Sequence, residues 1–380
     1  MLTSTQIERI VLNILSAHLV TPAAVSFLVC LSLVLMAPVI LKLFSRREDL
    51  HAVQAAHTKP TLRIGGLGIL AGVLAGTLLL SADAAFLSYV SLILVSAIPL
   101  ILGGFAEDLG FQVPPRLRLG AIAISALLCA TFLPAVLTHI GVPVIDDILT
   151  LYPLALMFTI FAASGVTNAF NLIDGLNGLA SFTAITTAVA LSTLAMIADL
   201  THLQNFYAMF SVVTFGFFVL NFPAGKLFLG DGGAYLLGHC LTWGGITLAI
   251  EVAGLSAFAI LLIFFWPIAD TALAIWRRLR LASPTDRPDR LHFHQLVMRF
   301  LEIRVLGRGR RRVANPLATL IITPLIVAPQ ACGLLFAFSH WAAILASVAF
   351  GVIFSATYII GIRIAKRGRV SVPAGRVGTL

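Results

Sequence analysis

The stretch "ILTLYPLALMFTIFAASGVTNAFNLIDGLNGLASFTAITTAVALSTLAMIA", residues 148–198, holds two apolar runs, 148–166 and 179–198, around one polar island. Each run has the roughly 20 apolar residues that an α-helix needs to cross the hydrocarbon core of a membrane. The island, "NAFNLIDGLNG" at 168–178, packs three asparagines, one aspartate and two glycines into eleven positions. Asn171, Asp174 and Asn177 fall at spacings of three, which on a helix places them on one face, with Asn168 joining it at one end. Two roles fit. The island is either a turn between membrane helices, with Asp174-Gly175 and Asn177-Gly178 as turn dipeptides, or a polar site at a membrane surface.

The rest of the chain repeats the apolar pattern. Of its 380 residues 59% are apolar and 11% charged, outside the range of soluble domains. Nine further runs lie at 24–44, 64–81, 85–104, 119–137, 206–222, 233–250, 253–276, 316–339 and 341–364. The predicted fold class is therefore an all-α, polytopic integral membrane protein with about eleven transmembrane helices. Orientation follows from the preference of Lys and Arg for cytoplasmic loops. Of the 25 basic residues, all but Arg9 fall on one side of that arrangement, while the loops around Asp83, Asp146, Asp199 and Glu251 contain none. This predicts an outer N-terminus and a cytoplasmic C-terminus. The net charge of +9 is then a topology signal and an attraction to anionic lipid, and nucleic-acid binding has no support.

We read residues 1–380 as one membrane domain, with an N-terminal segment at 1–20, a cytoplasmic histidine and arginine loop at 277–315 and a basic tail at 365–380. The N-terminal segment lacks the basic start and cleavage site of a signal peptide and reads as a short surface helix. Cys30, Cys129, Cys240 and Cys332 all sit in apolar runs and read as packing residues.

Polar residues needed only for helix adhesion would scatter through the bilayer. Here they gather in five clusters: "HTKPTLRIGG" at 57–66, "GGFAEDLGFQVPPRLR" at 103–118, the island at 168–178, "NFPAGKLFLGDGG" at 221–233 and "SPTDRPDRLHFHQ" at 283–295. Each falls at a predicted cytoplasmic helix end, so all five can converge on one face. Carboxylate and amide oxygens suit Mg²⁺ or Mn²⁺, glycines admit a phosphate close to the backbone, and Lys and Arg neutralise it. The combination points to a metal-assisted reaction on a diphosphate. Plainer uses stand beside it: Asp231 as a helix cap, Glu107 and Asp108 as acids ending a span, His292 and His294 as surface residues. Asp270, inside "FWPIADTALAIW", is an ionisable group within a span, a costly feature that usually marks function. A secondary transporter is the main alternative, but transporters place their sites near the midplane between repeats, and no repeat is apparent here.

These motifs, in this order from about residue 57 to residue 294, resemble the polyprenyl-phosphate N-acetylhexosamine-1-phosphate transferases. "NAFNLIDGLNGLA" is similar to the family's N-x-x-N-x-x-D-G-x-D-G segment, "KLFLGDGGAYLLG" to F-M-G-D-x-G-S, and "RPDRLHFHQLVMR" to P-D-R-x-H-x-H-H. "HTKPTLRIGGLGI" resembles the early H-x-x-P-x-P-x-x-G-G stretch and "GFAEDLG" the paired acids. The resemblance implies transfer of a sugar 1-phosphate from a UDP-sugar to undecaprenyl or another polyprenyl phosphate, with release of UMP, by a Mg²⁺- or Mn²⁺-dependent enzyme of the bacterial inner membrane, and a homodimer. The histidine loop favours the simple-sugar subgroup over the phospho-muramoyl-pentapeptide one.

Carried over residue by residue, the resemblance implies that Asp231 and Asn171 contact the metal, Phe228 stacks on uracil and Asn221 positions the nucleotide. Arg290, His292 and His294 would hold phosphate or sugar, and Asp108 would be the acid nearest the acceptor phosphate. Glu107 and Asp174 complete the catalytic set; Asn168, Asn177, Lys59, Arg116 and Arg118 complete the substrate-binding set. The sequence departs from the family pattern at Glu107, at Asn177 in place of the usual bacterial second Asp, at Ala234 in place of Ser, and at Gln295 in place of the last His.

Overall fold

The computed structural model describes residues 17–44, 61–281, 292–307 and 309–367. Among these residues there is no strand. The helices are α1 (Ala17–Phe44), α2 (Gly66–Leu79), α3 (Ala84–Ser96), α4 (Ile98–Asp108), α5 (Pro115–Phe132), α6 (Pro143–Leu149), α7 (Tyr152–Leu172), α8 (Leu179–Ile197), α9 (Thr201–Asn221), α10 (Gly230–Glu251), α11 (Ala257–Ile263), α12 (Phe265–Leu281), α13 (Phe293–Phe300), α14 (Arg311–Leu335) and α15 (His340–Arg367). A π-helical turn, Leu301–Val305, follows α13. The chain is an all-α, polytopic membrane protein.

Among the described residues eight helices are long and apolar enough to cross a membrane, or up to ten if each of two bent pairs is one span. The sequence predicts eleven. The difference lies in α2, a helix of 14 residues that rises only about 21 Å. The bent pairs are α3 with α4, at 49°, and α11 with α12, at 84°. A break inside lipid frees backbone groups that need partners within the protein. At the first, Ser125 Oγ accepts the Leu100 N–H (3.1 Å). At the second, Gln330 Nε2 donates to the Ile263 carbonyl (3.2 Å) and also to Thr187 Oγ1 (3.0 Å).

The bundle is built around α10, which is buried along nearly its whole length, while α1 and α15 expose most of theirs. Glycines let its neighbours approach. A Cβ on Gly66 would lie 2.3 Å from Gly233 Cα, and one on Gly104 2.5 Å from Gly232 Cα. The "GG" of α2, the "GG" of α4 and the "GDGG" of α10 therefore meet backbone to backbone, the small-residue packing that membrane helices use where apolar burial alone supplies no drive. This contact sets the first turn of α10, and Asp231 with it, between the start of α2 and the end of α4.

Candidate active site

Two short extended segments bring the first and fourth polar clusters together. Phe228 N–H donates to the Leu62 carbonyl (2.8 Å), Gly65 N–H to Phe228 O (2.8 Å) and Gly66 N–H to Leu229 O (3.0 Å), so "LRIGG" runs alongside "FLGD". Gly230 stands at the crossing with φ +80°, and a Cβ there would lie 1.8 Å from the Arg63 carbonyl oxygen. Only glycine fits both the left-handed backbone and the contact.

Asp231 is buried in the first turn of α10, where N–H groups lack intrahelical partners. Asp108, the last residue of α4, supplies them: Oδ1 accepts the Asp231 N–H and Oδ2 the Gly232 N–H, each at 2.9 Å. The Asp231 carboxylate faces outward from that turn onto two cations, Arg63 Nη2 at 3.3 Å from Oδ1 and Arg118 Nη1 on Oδ2. Glu107 turns away, accepting the Val113 N–H on Oε2 (2.6 Å) and closing the loop between α4 and α5. Arg116 is exposed.

The opening island is helical through Asn168 and Asn171, at the end of α7, and then turns. Among the described residues the side chains of Asn168, Asn171 and Asp174 make no hydrogen bond, and each keeps part of its surface open. Burial pushes the Asp174 carboxyl well above its ordinary value; Arg63 opposes that, and Asp231 and Asp108 reinforce it. Those four residues share one electrostatic neighbourhood. Asn177 and Asn221 are instead tied into the protein. Asn177 Nδ2 donates to Pro223 O (2.8 Å), its backbone N–H to Asn315 Oδ1 (2.8 Å), and its carbonyl accepts from Thr319 Oγ1 (2.8 Å). Asn221 Oδ1 accepts the Gly178 N–H (2.6 Å) and its Nδ2 donates to Leu227 O (2.8 Å). The two asparagines pin the 173–178 turn, the 222–229 loop and α14 together. Phe228 is half-buried beside them.

The fifth cluster reaches the site through α13. His292 and His294 are buried, and both bond through Nδ1 to Asp270 of α12 at 3.1 Å. His294 Nε2 abuts Gly175 in the island, and burial holds its imidazole below the ordinary value. Among the described residues, this is the one group of three His, Cys, Asp or Glu ligand atoms within 4.8 Å of one another. Lys59 and Arg290 lie outside the described residues.

The structure thus joins Asp108, Asp174 and Asp231 with Arg118, and sets His294 against the same turn. It adds Arg63, Asn315 and Thr319, to which the sequence reading assigns no role, and supplies a partner for Asp270. In sequence Arg63 is one basic loop residue among many; its place inside "TLRIGG", a cluster with close-packing glycines, is the signal that marks it.

Asp108, Arg118, the island and Asp231 fall within residues 90–249, which match the sequence profile described as glycosyl transferase family 4. The chain is 30% identical over 284 residues to a Bacillus subtilis protein named as a probable undecaprenyl-phosphate N-acetylglucosaminyl 1-phosphate transferase, covering 73% of this chain and 77% of that one. It is 29% identical to a decaprenyl-phosphate N-acetylglucosaminephosphotransferase of Mycobacterium leprae, over 68% of this chain and 70% of the other. It is 28% identical to the undecaprenyl-phosphate alpha-N-acetylglucosaminyl 1-phosphate transferase of Escherichia coli, over 62% and 65% respectively. With its paired-acid, asparagine, aspartate–glycine and histidine motifs gathered around α10, the chain belongs to glycosyl transferase family 4.

Proposed function

We propose that the protein transfers N-acetylglucosamine 1-phosphate from UDP-N-acetylglucosamine to a polyprenyl phosphate, releasing UMP, at the cytoplasmic face of a bacterial inner membrane. This is a first membrane step in building an envelope glycan. The observation that carries the reading is the Asp231 carboxylate at the mouth of α10, held between Arg63 and Arg118 in the electrostatic neighbourhood of Asp174.

An oxygen of the acceptor phosphate attacks the sugar-linked phosphorus. A new P–O bond forms there, and the bond to the bridging oxygen breaks, its electron pair leaving with UMP. The second pKa of a phosphate monoester is about 6, so the acceptor is largely dianionic at neutral pH and a strong base is hardly required. The problem is to align and neutralise several negative charges. Arg63 and Arg118 bring two positive charges to that point. Both oxygens of Asp108 are engaged by backbone N–H groups, which supports a role in holding Asp231 in place.

The donor set fits Mg²⁺ or Mn²⁺, because Asp231, Asn171 and Asp174 offer hard oxygens and the last two have no competing hydrogen bond. Asp231 and Asn171 would hold the ion, with Asp174 alongside, and the ion would supply charge neutralisation to the diphosphate. Incubating the purified full-length protein with undecaprenyl phosphate and a panel of UDP-sugars, with Mg²⁺ or with EDTA, tests the reading. UMP and a lipid-linked sugar phosphate are expected from UDP-N-acetylglucosamine and lost with EDTA; no lipid-linked product from any UDP-sugar refutes it.

A further inference from the structure

Asp270 is 1% exposed within α12, half of a bent apolar span, where an ionisable group needs partners inside the protein. It has three. Oδ1 accepts the Phe293 N–H (2.8 Å), and Oδ2 meets Nδ1 of His292 and Nδ1 of His294, both at 3.1 Å. All three partners are nitrogens able to donate, and an ionised carboxylate is acceptor-only. With the carboxylate ionised, both Nδ1 atoms carry a hydrogen, and each ring points its Nε2 away from Asp270. The two rings then lie nearly parallel, 5.5 Å apart with 28° between their planes.

The far side of the pair is also defined. His294 Nε2 is buried with no hydrogen-bond partner among the described residues. It faces the turn that carries Asp174, and a Cβ on Gly175 would come within 2.5 Å of it. The Phe293 bond ties the start of α13 to α12. The two imidazole bonds add what packing does not, a fixed tautomer and a fixed ring plane.

We propose that Asp270 is the positioning residue of the histidine pair, one carboxylate oxygen fixing the ring planes of His292 and His294, the two residues that the resemblance gives to the phosphate or sugar of the donor. This rests on the transferase reading above.

The test is a double-mutant cycle on the full-length enzyme with UDP-N-acetylglucosamine and undecaprenyl phosphate. Asp270→Asn, isosteric but uncharged, should lower kcat/KM for the UDP-sugar by about 10–100-fold while leaving the KM for undecaprenyl phosphate within threefold. In a His292→Ala, His294→Ala background the same change should cost less than threefold. An equal loss in both backgrounds, or equal rises in both KM values, overturns the proposal and leaves Asp270 a structural peg. Should Asp270→Asn not yield folded protein, Asp270→Glu keeps the charge but displaces the acceptor by one methylene, and the same split is expected. Zinc bound stoichiometrically to the purified protein, and lost in both Asp270→Asn and His294→Ala, would also overturn it, making the cluster a metal site. Inactivity of the wild type toward every UDP-sugar strikes the transferase reading instead.

Discussion

Asp108 caps the helix whose first turn holds Asp231: its two carboxylate oxygens take the Asp231 and Gly232 N–H groups, each at 2.9 Å. Two helix-end donors in a place poor in water depend on one side chain from another helix. Asp108→Ala strands both and should lower stability by about 1–3 kcal/mol. Asp108→Asn keeps one acceptor oxygen, and asparagine caps nearly as well as aspartate, so its loss should be smaller. Thermal unfolding of the detergent-solubilised variants checks the order; an Asn variant as unstable as the Ala variant would contradict the capping role.

Asp231→Ala and Asn171→Ala should each lower turnover by orders of magnitude and still leave folded protein. Removing the Asp231 carboxylate deprives Arg63 and Arg118 of a partner, but their side chains are 49% and 21% exposed, so water reaches part of each. Asn171 makes no side-chain hydrogen bond among the described residues, and its loss opens no internal network. Near-normal UMP release in either variant, at unchanged expression and monodispersity, would show the metal assignment to be wrong.

Much of this arrangement is readable before any coordinates, and the exceptions have physical causes. All the apolar runs fall on helical segments, because hydropathy over about 20 residues reports membrane burial directly. The breaks at Ala97 and Phe264 lie inside such runs. Their backbone groups are satisfied by Ser125 and Gln330, side chains remote in sequence, so composition does not reveal them. Asp231 and the asparagines stand out as polar residues in apolar surroundings, yet polarity does not separate those that face an opening from those tied inward. Asn171 and Asn221 look alike in sequence. Only the backbone partners of Asn221, Gly178 N–H and Leu227 O, distinguish a clamp from a free ligand. The bonds from Asp270 to His292 and His294 span 22 and 24 residues and depend on a path that no spacing rule encodes.

The raised pKa of Asp174 gives the protein a pH signature. The folded state holds this proton more tightly than the unfolded chain, because burial, with Asp231 and Asp108 nearby, disfavours the ionised form. The group takes nothing from stability below the unfolded value of about 3.9. It subtracts stability as pH rises from there toward the folded value. Asp174→Asn lacks that decline, so in EDTA it should be at least as stable as the wild type at neutral pH, although turnover is lost. Mg²⁺, binding only the folded state, should raise the unfolding temperature of the wild type more than that of the variant. Parallel curves of unfolding temperature against pH for the two proteins would rule this out.

Asn177→Asp separates two readings of the island most sharply. By resemblance, position 177 carries a carboxylate in most bacterial relatives, so the change looks conservative, and a residue facing substrate would accept it with altered KM or sugar choice. In the structure the side chain has a different role, because Nδ2 donates to Pro223 O at 2.8 Å and the neighbouring backbone is held by Asn315 and Thr319. A carboxylate there sets an acceptor against the Pro223 carbonyl in a buried position. Removing the group altogether costs one hydrogen bond, about 1 kcal/mol; replacing the donor with a charged acceptor costs more. Asn177→Ala should therefore be the milder change, with a smaller drop in unfolding temperature than Asn177→Asp and a KM for the UDP-sugar close to the wild-type value. If Asn177→Asp instead keeps wild-type stability and shifts only KM or sugar preference, the side chain belongs to the substrate and the clamp is incidental.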